Sequence, residues 1–121
     1  MGKRTRAEKI FGPFEKIYDL EQIDPEELPV VPDKKKSLVI NLQAGVKKLL
    51  LKNLLPLKFF EERMEFLGVC VITGDEISSG VIPVDKFERQ WRDETGRVYQ
   101  FFSSRADSVE RVFAGLAIKL K

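Results

Sequence analysis

Four residues, Asp93-Glu94-Thr95-Gly96, divide the most aromatic part of the chain into two runs, and they do most to limit the folds open to it. The surrounding stretch, Phe87 to Phe102, holds the only tryptophan, one of the two tyrosines and three of the nine phenylalanines. Asp is favoured at the first position of a type I turn, and glycine takes the left-handed conformation that such a turn needs at its exit. The spacing predicts a three-residue hairpin loop, Glu94 to Gly96, with a bulge at the glycine. Trp91 then faces Tyr99 and Arg89 faces Phe101. Phe87, Arg89, Trp91, Tyr99 and Phe101 share one side, while Glu88, Gln90, Arg92, Val98, Gln100 and Phe102 share the other. The aromatic side reads in two ways, as a face packed on the core or as an open platform for stacking bases, edged by arginines.

The segment after this stretch predicts a helix. Val109, Val112, Phe113, Leu116, Ala117 and Leu120 follow the spacing of a helix that buries one side, and Asp107 with Glu110 resembles a capping box. Gly115 weakens that reading, and the alternation in 116–121 is compatible with a strand. A strand, a hairpin and a closing helix in this order resemble the C-terminal half of pleckstrin-homology-like domains. The run WRDETGRVYQFF followed by a helix is similar to the small sheet-plus-helix DNA readers of phage integrases. Each resemblance covers roughly the last 40 residues and implies fold rather than function.

Upstream, Ser37 to Leu42 alternates as a strand. Gly45 to Leu55 places Val46, Leu49, Leu50 and Leu54 on one helical side, with Pro56 closing the helix, although the run Lys48 to Lys52 also suits a strand and Phe59 to Leu67 suits either. Asp24-Pro25-Glu26-Glu27 is a helix-start signal with room for about one turn before Pro29. Glu65 to Thr73 is a near-continuous apolar run and reads as a central strand, and residues 80–84 (GVIPV) read as an edge strand because of Pro83. These elements predict an α+β fold: a single antiparallel sheet of about four to six strands against a C-terminal amphipathic helix. Residues 1–36 form a basic tail and an extended acidic, aromatic arm, and residues 37–121 form the domain. Phe11, Phe14, Ile17 and Tyr18 give the arm an apolar side for its own domain or for a partner chain, including another copy.

Charge is arranged in blocks that nearly cancel, leaving a formal +2. Residues 34–60 contain seven lysines and no acid, between an acidic arm and a second acidic segment. Such blocks either neutralise one another on folding or expose a basic face. The second outcome makes nucleic acid the expected partner. Contacts would come from Lys3, Arg4, Arg6, Lys34, Lys35, Lys36, Lys47, Lys48, Lys52, Arg92 and Arg97.

Chemistry is limited by composition. There is no histidine, which removes the commonest general base and metal ligand, and one cysteine cannot build a structural zinc site. Neither a GxxxxGK[ST] phosphate loop nor a GxGxxG run is present. Asp75, Glu76 and Asp85 follow predicted strands and are the remaining candidates for a Mg²⁺-dependent hydrolase or nuclease, although Gly-Asp pairs usually serve turns. The expectation is a non-catalytic nucleic-acid-associated module without cofactor or metal, with a protein-interaction subunit as the alternative. No apolar run is long enough for a membrane span, no secretory leader is recognisable, and the lone Cys70 suits a cytoplasmic setting.

Overall fold

The computed structural model describes Lys9 and residues 11–32, 34–75, 85–106, 110–113 and 116–119. Lys3, Arg4, Arg6, Glu76 and the expected strand at 80–84 lie outside the described residues.

Its centre is a parallel sheet, not an antiparallel one. Strand β1 (Lys16–Asp19) pairs in parallel with β2 (Ser37–Ile40), and β2 pairs in parallel with β3 (Val71–Ile72). All four residues of β2 are buried, as expected of the middle strand in a sheet covered on both faces. Register then sorts the side chains by alternation. Tyr18, Val39 and Ile72 lie in line and join the main core, whereas Leu38, Ile40 and Val71 join Phe14 on the opposite face. Part of the expected arm thus contributes to the sheet: Lys16–Asp19 forms β1, and Tyr18 and Leu20 are buried.

The link from β2 to β3 is helical, which is what allows the two strands to run parallel. Helix α1 (Leu42–Leu51) buries Val46, Leu49 and Leu50, as its spacing predicts. It ends before Pro56. Asn53 adopts a positive φ of 58°, its amide donates to Leu50 and that of Leu54 to Leu49, an arrangement that satisfies the last carbonyls of the helix. Pro56 instead opens α2 (Pro56–Glu61) at a position where the missing amide costs nothing. The apolar run read as a long central strand divides into α3 (Met64–Leu67) and the two-residue β3. Amides of Gly68, Val69 and Cys70 turn back onto Met64, Phe66 and Leu67, so strand pairing begins only at Val71.

The largest correction concerns the aromatic stretch. Phe87 to Phe102 is not a hairpin but lies within α4 (Lys86–Arg105). Asp85 caps it, its carboxylate accepting the Phe87 and Glu88 amides at 2.7 and 3.2 Å. Thr95 and Val98 are buried, and Phe87, Trp91, Tyr99 and Phe102 pack against the main core. The spacing Phe87, Trp91, Thr95, Val98, Phe102 is that of one helical face. Gly96 is not a turn residue. A Cβ placed there would meet nothing within 4 Å, so it lies on the open side of the helix.

The C-terminal segment reverses in the complementary sense. The expected helix is an antiparallel pair, β4 (Glu110–Phe113) with β5 (Leu116–Lys119), in which Phe113 pairs with Leu116. A glycine inside a helix costs about 1 kcal/mol relative to alanine, the cost that already weakened the helix reading of this segment. Hairpin and helix have thus exchanged places relative to expectation, and both resemblances that rested on their order are withdrawn.

The main core closes where α2, α4 and the sheet meet. Phe60 is fully buried, edge-on to Phe59 at 5.5 Å and to Phe102 of α4 at 5.8 Å, while Phe66 meets Tyr18 of β1 edge-on at 5.6 Å.

Candidate active site

Parallel strands present all their carboxyl ends on one edge, and in open α/β sheets ligands enter there. Each strand here is followed at once by polar residues: β1 ends in Asp19 with Glu21 beyond it, β2 leads to Asn41 and Gln43, and β3 leads to Thr73 and Asp75. Asp19, Glu21, Asn41, Gln43 and Asp75 form one connected network, which Thr73 borders through its backbone. Asp19 Oδ1 accepts from Asn41 Nδ2 at 2.8 Å and from the Glu21 amide at 2.9 Å. Gln43 Nε2 donates toward Asn41 Oδ1 at 3.4 Å, and Gln43 Oε1 accepts the Asp75 amide at 2.9 Å.

Asn41 carries the network's one left-handed conformation, with φ 59° and ψ 48° just before α1. Asn tolerates that region better than other non-glycine residues. It stands where a side chain usually caps a helix, but makes no capping bond and reaches across to Asp19 instead.

Helix α4 runs alongside this edge and is bonded to it twice. Trp91 Nε1 donates to the Gln43 carbonyl at 2.8 Å, and the Tyr99 hydroxyl donates to the Asp75 carbonyl. Gly74 makes the second contact possible, since a Cβ at that position would stand 2.5 Å from the Tyr99 oxygen. Lys47, one turn into α1, places its ammonium 4.8 Å from the centre of the Trp91 ring and 3.9 Å from the Glu88 carboxylate. The edge thus combines exposed acid (Asp75), amide donors and acceptors, and the Lys47 ammonium. Among the described residues, no three Cys, Asp or Glu side chains converge in a way that could hold a metal ion.

The lysine block does not form a free basic face at α1. Lys48 Nζ donates to the carbonyls of Glu21 and Ile23 at 3.1 and 2.9 Å. Lys52 pairs with Glu26 at 2.8 Å and lies 3.6 Å from Asp24. The hydrogen bond from Lys52 holds the Glu26 carboxyl below its ordinary value, and the same bond holds the Lys52 ammonium above its own. Of the two outcomes open to the charge blocks, folding takes mutual neutralisation here. Lys34, Lys35 and Lys36 are exposed ahead of β2, at the end of the sheet opposite the network, with Lys36 5.7 Å from the Phe14 ring. Arg97 pairs with Glu94 one turn away on α4, and Arg92 is half-buried on the same helix.

The proposed partner-facing residues divide likewise. Tyr18 is buried and Phe14 packs against Leu38 and Ile40, while Phe11 and Ile17 remain exposed. Of the three acids weighed for Mg²⁺, Asp75 reaches the network and Asp85 is the cap of α4.

Residues 51–120 match the family described as CobU, cobinamide kinase / cobinamide phosphate guanyltransferase. The chain belongs to this family. The match takes in α2, α3, β3 and α4 together with β4 and β5, and therefore Asp75, Trp91 and Tyr99 of the network. A curated relative, the bifunctional adenosylcobalamin biosynthesis protein CobU of Salmonella typhimurium (strain LT2), is 35% identical over 51 residues. That stretch is 42% of this chain and 28% of the relative, so the chain spans little more than a quarter of the relative it matches. Membership in a family of kinases and guanyltransferases overturns the expectation of a non-catalytic, nucleic-acid-associated module, and with it the expectation that the chain is not an enzyme. Among the described residues no helix is long and apolar enough to cross a membrane.

Sequence reasoning missed Asp19, Asn41 and Gln43 as members of a site. A signal was present: Ile17-Tyr18-Asp19, Val39-Ile40-Asn41 and Val71-Ile72-Thr73 are each a short apolar run ending in a polar residue. In a parallel sheet such endings gather on one edge, whereas in the expected antiparallel sheet they alternate between opposite edges.

Proposed function

We propose that this chain takes part in transfer of a phosphoryl or guanylyl group to a cobinamide substrate, with the carboxyl edge of its parallel sheet as the substrate face. The observation that carries this reading is that the family match includes the strand and helix delivering Asp75, Trp91 and Tyr99 to that edge. The edge suits such substrates chemically. Carboxylate and amide groups can orient hydroxyl and amide groups of the acceptor, while Lys47 is a cation within reach of a phosphate. Most rate enhancement in phosphoryl transfer comes from positioning and electrostatics, both of which a rigid sheet edge supplies. The cytoplasmic setting expected from the sequence accords with a reaction that consumes nucleoside triphosphate.

The test is titration of the full chain with cobinamide, cobinamide phosphate and GTP in the presence of Mg²⁺, followed by a transfer assay with labelled GTP. Saturable binding of at least one of the three is expected, that of GTP weakened by Lys47→Ala and that of the cobinamide ligands by Asp75→Asn. Absence of binding to all three together with absence of labelled product would refute the proposal.

A further inference from the structure

Gln43 is a buried amide at the meeting point of three elements. Its side-chain oxygen accepts the Asp75 amide at 2.9 Å, its Nε2 lies 3.4 Å from Asn41 Oδ1 and 3.5 Å from Asp75 Oδ2, and its own carbonyl accepts Trp91 Nε1 at 2.8 Å. A leucine or methionine would fill the same space without the cost of burying an amide, so what the amide contributes is direction. That direction is shared between Asn41, which meets only Nε2, and Asp75, which meets both ends of the amide. The peptide groups of Asp75 are held from both sides: Gln43 of α1 takes its amide and Tyr99 of α4 takes its carbonyl. Asp75 itself remains exposed at the carboxyl edge of the sheet. A side chain presented to solvent from a main chain clamped at both polar groups is the arrangement expected of a group that must meet a substrate in one orientation.

We propose that Gln43 and Tyr99 are positioning residues that hold the Asp75 carboxylate toward the substrate at the edge of the sheet. The proposal rests on the reading of this edge as the substrate face and adds which acid acts there and what aims it. Gln43 contributes through Asp75 and touches no substrate itself. Loss of the clamp should therefore lower turnover without lowering nucleotide affinity to the same degree, and should cost nothing further once the Asp75 carboxylate is gone.

The experiment uses the full chain with Gln43→Met, Gln43→Glu, Asp75→Asn and the double variant Gln43→Met/Asp75→Asn. Hydrogen exchange at the Asp75 amide reads the clamp directly. Losing this part-buried hydrogen bond should speed exchange about tenfold in Gln43→Met, while Gln43→Glu, which keeps an acceptor for that amide but sets its second oxygen against Asn41 Oδ1 and Asp75 Oδ2, should fall between Gln43→Met and wild type. In turnover of cobinamide with GTP, Gln43→Met and Asp75→Asn should each lower kcat about tenfold with KM for GTP within about twofold, and the double variant should fall no further than Asp75→Asn alone. Multiplying losses in the double variant, or an Asp75→Asn chain as active as wild type, overturns the proposal. If the wild-type chain neither binds nor turns over these substrates, the proposed function fails. The clamp is then judged by exchange alone, and an Asp75 amide no faster in Gln43→Met overturns it.

Discussion

Gly74 and Tyr99 should be energetically coupled, and a double-mutant cycle measures how tightly. An alanine at position 74 would put its Cβ 2.5 Å from the Tyr99 oxygen, 3.0 Å from its Cζ and 3.1 Å from the Leu42 Cβ. Overpacking of this kind costs about 1–3 kcal/mol. It is partly offset by about 0.4–1 kcal/mol, because alanine has less freedom to lose on folding. Gly74→Ala should therefore destabilise by about 1–2 kcal/mol. Tyr99→Phe removes the hydrogen bond to the exposed Asp75 carbonyl and should cost about 1 kcal/mol. With the hydroxyl gone, the nearest ring atom to the new Cβ stands at 3.0 Å, a gap that a small ring shift can open. The double variant should then lose about 1.5–2 kcal/mol, less than the two single losses together, leaving a coupling of about 0.5–1 kcal/mol. Urea unfolding followed by Trp91 fluorescence is the assay, and a loss of this size moves the midpoint by about 0.5–1 M at an m value of about 2 kcal/mol/M. Strict additivity, or a Gly74→Ala chain as stable as wild type, would refute the reasoning.

Thr95 is buried, and its hydroxyl has no hydrogen-bond partner among the described residues, so Thr95→Val should stabilise by about 1 kcal/mol in the same urea assay. Gly96→Ala should stabilise by about 0.5–1 kcal/mol, since the new methyl meets nothing and the helix interior gains a better former; a decrease would show that α4 is not continuous there. Glu26→Gln should act only above the acid range. The Glu26 carboxyl is held below its ordinary value of 4.5 by Lys52, so the pair's contribution is present above that value and lost as pH falls through the lowered one. Wild type and Glu26→Gln should accordingly converge in acid unfolding, and a difference that persists at pH 2 would contradict the pairing.

Much of the local structure was legible in the residues. Ser37 to Leu42 read as a strand and Gly45 to Leu55 as a helix over a competing strand reading; the strand formed over Ser37–Ile40 and the helix over Leu42–Leu51, leaving Leu54 outside it and exposed. Asp24-Pro25 likewise announced the single turn that follows. The stretch Phe87 to Phe102 was compatible with two structures. Its Asp-Glu-Thr-Gly centre suits a turn, and its spacing of four, four, three and four suits a helix once Thr95 counts as an inward-facing residue. Nothing within the stretch chooses between them. The choice comes from the surfaces it must cover, because a helix with Trp91, Val98 and Phe102 on one side covers α1 and α2 while sending Trp91 and Tyr99 to the edge of the sheet. The site shows the same division. The sequence has no histidine, too few cysteines for a structural zinc site, and short polar residues after apolar runs, and those facts belong to the sequence alone. Whether the polar ends converge or scatter depends on strand direction. That direction was decided in the tertiary structure, when 42–67 folded into helices that carry the chain back across the sheet and start β3 parallel to β2.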